Sequence, residues 1–273
     1  INPPTQFVAT FDGRNKFGRP YNSATNNAFG ETDSLTSHPI ELSNFTVKDS
    51  LILSFFLQPK GLGDLPDPED SLIVRFRNRK LEWVDVWKND SVKAKPQFEQ
   101  IFLTIRDSAF FRDKFQVAFI TKGRQSGPFD AWHLDYVFLE MQSKRLPQRG
   151  FYTDIAVQNI PSSILKYYRS MPMRQFRANA DNEIADSLTV NILNLRPTNQ
   201  GDLLESKWVV NESITGNNIL NAKATNLQFY TGQLTNKFRL PKLNIPTTSK
   251  AILSYGFKIF STDFQSAFVD GVD

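Results

Sequence analysis

Cysteine is absent from the 273 residues, histidine occurs twice and methionine three times. Without a thiol there is no disulfide framework, no thiolate metal site and no cysteine nucleophile. The two histidines, His38 and His133, stand far apart in the chain, and no HExxH-type spacing supplies a zinc site. No G-x-S-x-G elbow marks a hydrolase serine. No apolar run approaches the roughly 18 residues that a membrane-crossing helix needs. Charge of one sign is also scarce in excess: 32 basic and 28 acidic residues leave a net charge of only +4. Nucleic-acid binding calls for a dense basic face with interleaved aromatics, so no nucleic-acid partner is expected. The chain opens on "INPPTQFVATFDG", without Met or an apolar leader, and closes on "AFVDGVD". A mature or trimmed form, cut from something longer, is the expectation.

What is abundant is phenylalanine, 24 residues of it, in a chain 40% hydrophobic and 22% charged. Such a chain folds, and its aromatics suit pleated, half-buried surfaces. From position 49 to 139 short β patterns follow one another. "DSLILSFFLQ" is a compact apolar run. In "DSLIVRFRNRK", Leu72, Val74 and Phe76 point one way and Arg75, Arg77 and Arg79 the other, the period of a strand with one wet face. "LEWVDVWKN" sets Trp83 and Trp87 against Val84 and Val86. "FEQIFLTI" and "FQVAFI" alternate in the same manner. "PKGLGDLPDPED", "NDSVKAKP" and "TKGRQSGPFD" punctuate them as turns. Strands at this spacing predict an antiparallel sandwich or jelly roll over residues 1–145.

Residues 146–182 are expected to form a linker with short helices. In "NIPSSILKYYRSMPMRQF", Ile164, Tyr168 and Met171 share a helix face, and Pro172 stops simple continuation or opens a second turn. From 183 to 273 the alternation returns. Leu188, Val190, Ile192 and Asn194 oppose Thr189, Asn191, Leu193 and Leu195, with further strand candidates in "ESKWVVNES", "ATNLQFYTG", "KFRLPKL" and "KAILSYGFKIFS". A second, immunoglobulin-like β-sandwich, its last strand lying beyond the chain, is the expectation, and the fold class is all-β.

Chemistry has few candidates. "FDAWHLDYVFLEM" places His133 and Asp135 on one side of a strand, about 6–7 Å apart by strand rise. A catalytic pair would need a bend there, so a structural or contact role on a semi-exposed face is favoured. Trp132, Leu134, Tyr136 and Phe138 then face the core. The loop "GDLPDPED" carries Asp64, Asp67, Glu69 and Asp70, a weak calcium candidate whose spacing matches no EF-hand. Acidic turns are ordinary on solvated loops, and a glycosidase needs a second carboxylate across a cleft that nothing nominates. No cofactor is expected. The triplet Asp-Ser-Leu at Asp33, Asp49, Asp70 and Asp186 resembles the O-glycosylation sequon of exported Bacteroidota proteins; turn-to-strand chemistry is the favoured explanation for most copies.

The run "LILSFFLQPKGLGD…DSLIVRF…WVDVWKN…FEQIFLTI…KFQVAFITKGRQSG…AWHLDYVFL" is similar to MAM-like jelly-roll modules. With "PSSILKYYRSMPMRQF", it resembles exported β-sandwich proteins of Bacteroidota over roughly residues 45–195, and in particular the plug family of the type 9 secretion translocon. The resemblance implies a non-catalytic periplasmic protein, associated with the outer membrane, whose partner is the large outer-membrane translocon β-barrel. It would occlude the barrel's periplasmic mouth until displaced. Contact candidates are the loops 64–70 and 123–128 and the arginine face: Asp64, Asp67, Arg75, Arg77, Arg79, Gly123 and Arg124. The alternative is a carbohydrate-binding or adhesion module, favoured if Trp83, Trp87 or Trp132 lie exposed in a row.

Overall fold

A computed structural model describes residues 3–89, 97–141, 155–195, 202–229, 232–246, 250–260 and 266–272. The chain divides into two compact units, Ile1–Gly150 and Phe151–Asp273. Each is built from antiparallel sheets around its own core, so the chain is an all-β protein of sandwich type with one α-helix among the described residues. No helix among those residues is long and apolar enough to cross a membrane.

The first unit holds β1 (Ala9–Phe11), β2 (Phe29–Thr36), β3 (Leu51–Pro59), β4 (Ser71–Arg77), β5 (Trp83–Asn89), β6 (Glu99–Thr104), β7 (Val117–Arg124) and β8 (Trp132–Met141). They form two four-stranded sheets, ordered β1-β8-β3-β6 and β2-β7-β4-β5. The alternation written in the sequence decides which residues meet between them. Leu72, Val74 and Phe76 of β4 are buried, as are Leu53, Phe55 and Leu57 of β3 and Val117 and Phe119 of β7. The phenylalanines close the core edge to face: Phe55 meets Phe119 at 5.1 Å and Trp87 at 5.6 Å, and Phe76 meets Phe115 at 5.2 Å and Phe110 at 5.3 Å. Each such pair adds about 0.5–1.5 kcal/mol beyond the burial of its area.

Strict alternation breaks at β8. Its pairing with β3 slips between Ser54 and Phe56, which face Phe138 and Asp135 respectively, and Tyr136 takes a left-handed φ of 49°. This is a β-bulge, and it switches the inward face of the strand. Trp132 and Leu134 are buried before it; after it Leu139 packs on the core while Val137 and Phe138 are exposed. The expectation of an unbroken inner face through Tyr136 and Phe138 is corrected accordingly.

The second unit holds β9 (Ile155–Val157), α1 (Met173–Glu183), β10 (Ser187–Asn194), β11 (Asp202–Glu212), β12 (Asn218–Phe229), β13 (Gly232–Arg239), β14 (Leu253–Phe260) and β15 (Ser266–Val272). The sheets are β13-β10-β9 and β12-β11-β14-β15. Leu188, Val190 and Ile192 are fully buried and Asn194 nearly so, as the alternation of β10 predicts. They share a cluster with Trp208 and Val210 of β11 and Tyr255, Phe257 and Ile259 of β14. Trp208 lies 4.8 Å from Phe257, and its Nε1 donates to Asn236 Oδ1 at 3.2 Å, so the indole is both packed and satisfied.

Between 158 and 172 the chain is irregular, and the expected helix through Ile164, Tyr168 and Met171 is not there. The helix starts after Pro172, which precedes its first turn. Ile164 is buried because it packs in the sandwich, whereas Tyr168 is exposed. The stretch 146–182, read from the sequence as a linker, contributes β9, Ile164 and the buried Phe176 to the second unit. Residues 146–154 of that stretch lie outside the described residues.

Candidate functional site: the loop end of the first unit

Register brings three loops to one end of the first sandwich. Phe11 at the end of β1 and Pro59 at the end of β3 both lie opposite Trp132, where β8 begins. Phe29, opening β2, faces Arg124 at the end of β7, and Ser71, opening β4, faces Lys122. The loops 12–28, 60–70 and 125–131 therefore leave the sheets side by side. Both loops nominated from the sequence, 64–70 and 123–128, are at this end.

They are tied by hydrogen bonds. Lys60 N–H donates to the Ala131 carbonyl at 2.8 Å and Ala131 N–H to that of Asp64 at 3.2 Å. Gln125 N–H reaches the Ala28 carbonyl at 2.8 Å, and Ser126 Oγ donates to that of Asn26 at 2.7 Å. Asp33, at a bulge of β2, accepts from Gly13 N–H at 2.7 Å and from the Tyr21 hydroxyl at 2.8 Å. Burial first and Asp33 second push the Tyr21 phenol up to about 12.

Beneath these loops two carboxyl groups meet. Asp70 is buried, accepts from Asp67 N–H at 2.6 Å and hydrogen-bonds Asp130. A Cβ at Gly123 would lie 2.8 Å from Asp130 Oδ2 and 3.0 Å from Asp70 Oδ1, so the pair occupies the space that a side chain there would take. Burial, then the neighbouring Asp70, raises the Asp130 carboxyl to about 7; Asp70 is raised as well, by burial. Two adjacent carboxylates in a half-dry site repel, so their proximity favours the protonated form of Asp130. Asp130 went unnominated in the sequence, although an Asp just ahead of an apolar strand was its signal.

Above this floor the surface is apolar and aromatic. Leu62 is 85% exposed and Phe17 74%, with Tyr21, Phe29, Leu65 and Phe129 also open to solvent. Cations lie over three of the rings: Arg124 over Phe129 at 4.7 Å, Lys16 over Phe17 at 5.0 Å and Lys122 over Phe29 at 5.6 Å. Arg124 also stands 3.6 Å from Asp67. Asp64 and Glu69 are exposed on the same loop. The four acids nominated for calcium thus divide: Asp70 turns inward to Asp130, Asp67 outward to Arg124. Among the described residues no three His, Asp or Glu groups converge as a metal-ligand set.

The arginine face is separate from this end. Arg75 bridges Glu31 at 2.7 Å and Asp85 at 2.5 Å across the outer side of its sheet. Arg77 donates to Gln116 Oε1 at 2.7 Å and lies over Trp83, and Arg79 donates to the Phe111 carbonyl at 3.0 Å. All three are engaged within the sandwich. The tryptophans form no row: Trp132 is buried, Trp87 packs on Phe55, and Trp83 is exposed beneath Arg77.

His133 and Asp135 are buried, not semi-exposed as the sequence suggested. The N-terminal segment lies over that side of β8. Thr5 donates to Asp135 through its N–H at 2.7 Å and its hydroxyl at 2.6 Å. His133 Nε2–H donates to the Lys60 carbonyl at 3.2 Å, which leaves Nδ1 to accept from Thr10 Oγ1 at 2.9 Å. Burial lowers the imidazole's pKa and keeps it neutral. No hydrogen bond joins the two residues among the described contacts; each is held by its own partners.

No family model matches the chain, and no curated protein sequence does. Solved structures give faint likenesses. A β-glucuronidase of Bacteroides uniformis aligns over 100% of this chain and 32% of its own, at 10% identity and a TM-score of 0.35. A β-glucuronidase of Parabacteroides merdae aligns over 96% and 29%, at 9% identity and a TM-score of 0.38. The β-D-mannosidase of Dictyoglomus thermophilum aligns over 85% and 27%, at 7% identity and a TM-score of 0.33. The chain spans about a third of the length of these structures, and likeness of this degree carries nothing about activity.

Proposed function

We propose that the first unit is a jelly roll and the second an immunoglobulin-like sandwich, and that the chain works through surfaces. The order β1-β8-β3-β6 against β2-β7-β4-β5 is what a pair of Greek keys produces, and β13-β10-β9 against β12-β11-β14-β15 fits an immunoglobulin-like arrangement. The role we assign is that of a non-catalytic, exported occluding protein, seated in the periplasmic mouth of the type 9 secretion translocon barrel. It would prevent leakage until displaced. Support comes from the sequence resemblance over residues 45–195 and, in the structure, from the loop end itself. One observation carries most weight: three loops, two of them tied to the third at 125–131, present five exposed apolar or aromatic side chains, with Phe29 at the start of β2 beside them. A large apolar patch that is rimmed by charges is typical of a docking surface.

The test is recovery of the partner. Tagged protein purified from its own envelope should bring down a large outer-membrane barrel. The pair Leu62→Ser and Phe17→Ser should weaken that recovery without changing the melting temperature, because these side chains are 85% and 74% exposed. Glycan binding with no protein partner would overturn the reading and favour a carbohydrate-binding or adhesion module.

A further inference from the structure

The end of the first unit opposite its loop end carries an open pocket of about 360 Å³, lined by Ser43, Arg79, Phe111, Arg112 and Asp113. Three connections meet there. The one from β2 to β3 brings Ser43, the β4–β5 hairpin brings Arg79, and the stretch between β6 and β7 brings the other three. Arg79 is exposed, whereas Arg112 is buried.

Main-chain carbonyls, not carboxylates, hold both guanidiniums. Arg79 Nη2 donates at 3.0 Å to the carbonyl of Phe111, the residue ahead of Arg112. Arg112 Nη1 donates in return to the carbonyl of Asn78, the residue ahead of Arg79. Arg112 Nε reaches the Asp113 carbonyl at 2.6 Å, and Arg79 N–H the Ala109 carbonyl at 3.0 Å. This reciprocal exchange brings two like charges to one pocket. Carbonyls solvate a cation without neutralising it, and a buried cation ordinarily has an anion beside it. Two acids stand near, and neither fills that place. Asp113 Oδ1 is 3.9 Å from Arg112 Nη2, beyond hydrogen-bond length, and its side chain is 63% exposed. Glu41, outside the lining, accepts from Ser43 N–H at 2.8 Å. Among the described residues no carboxylate contacts Arg79.

We propose that this pocket binds a phosphate group, either inorganic phosphate or a phosphomonoester headgroup. Guanidinium forks recognise oxyanions through their planar sets of N–H donors. One fork serves a planar carboxylate; two forks from separate segments suit a tetrahedral anion, whose oxygens point in several directions. The carbonyl bonds fix both arginines beforehand, so little ordering remains to oppose binding. Asp113 is the internal competitor, and it turns out to solvent when the phosphate enters.

The experiment follows the arginine Nε–H signals of the full chain as inorganic phosphate is added at fixed pH and ionic strength. Those of Arg79 and Arg112 should shift saturably. That of Arg75, bridged to Glu31 and Asp85 on the outer sheet face, should stay. Acetate should bind about tenfold more weakly or worse. Arg79→Gln should weaken phosphate binding about tenfold, and Asp113→Asn should tighten it about threefold by removing the competitor. Both replaced side chains are exposed, so these variants keep the test open even if Arg112→Gln fails to fold. Co-sedimentation with phosphatidylcholine vesicles that contain phosphatidic acid, lost in Arg79→Gln, would assign the phosphate to a lipid headgroup. Saturable binding of inorganic phosphate without co-sedimentation would assign it to a free solute. Three outcomes overturn the proposal: no saturable shift at Arg79 and Arg112, the same shifts from sodium chloride, or equal affinity for acetate.

Discussion

His133 and Asp135 look like an acid–base pair in "AWHLDY", and burial with separate partners makes them fasteners for the N-terminal segment. The residue whose titration matters more is Asp130. Burial and Asp70 raise its carboxyl from an ordinary 3.8 to about 7. Across that interval the folded state holds more protons than the unfolded one, so stability falls as pH rises from about 4 to about 7. Asparagine keeps a donor for Asp70 and cannot ionise. Asp130→Asn should therefore gain about 1–2 kcal/mol at pH 8, discounted for a half-exposed group, and almost nothing at pH 4. Urea midpoints at the two pH values check it, and an equal gain at both would disprove the raised carboxyl. Glu212 behaves oppositely. Thr215 Oγ1 first, then the N–H groups of Ile214, Thr215 and Ile252, hold its carboxyl at about 2, below its ordinary 4.5. Its stabilisation is complete above 4.5 and is lost as pH falls toward 2. Glu212→Gln should lower the melting temperature at pH 7 and leave it unchanged near pH 2, a difference that calorimetry can read.

At the scale of elements, the strands were legible because period two with branched and aromatic residues has few other outcomes. Leu72, Val74 and Phe76, and Leu188, Val190 and Ile192, sit where their spacing puts them. The bulges were not legible. Tyr136 adopts a left-handed φ although nothing in "LDYVF" requires it; it sits where the pairing of β8 with β3 slips. The helix was misplaced because Ile164, Tyr168 and Met171 have helical spacing, while burial of Ile164 comes from the sandwich. The β4–β5 hairpin carries a testable strain. Leu81 holds a φ of 67° while 55% exposed, a conformation that costs a branched side chain about 1–2 kcal/mol. Leu81→Asn, which tolerates that region, should stabilise the first unit by about 0.5–1 kcal/mol. A fall in the urea midpoint would show that the leucine side chain contributes more than its backbone costs.

For the molecule as a whole, each unit has a separate hydrophobic core, one centred on Phe55, Val74 and Phe115 and the other on Val190, Trp208 and Phe257. The pieces 1–150 and 151–273 should each fold and unfold cooperatively when expressed alone. Trp208 is the one tryptophan in the second piece and is fully buried, so its fluorescence should be blue-shifted without denaturant and move red in a single step. A spectrum of exposed indole from the native piece would show that it cannot fold by itself. Trp208→Ala should cost that piece about 3–5 kcal/mol. Sequence alone determined the all-β class, the alternating core positions and the absence of thiol chemistry, because these depend on residue type and local period. Only tertiary structure decided that loops 12–28, 60–70 and 125–131 share one end, that Asp70 and Asp130 meet beneath Gly123, and that Met171 and Met173 line one cavity with Ile245, Ile252 and Leu253. Those juxtapositions join positions far apart in the chain, and register between strands, which no local pattern encodes, brings the loops and their two aspartates together.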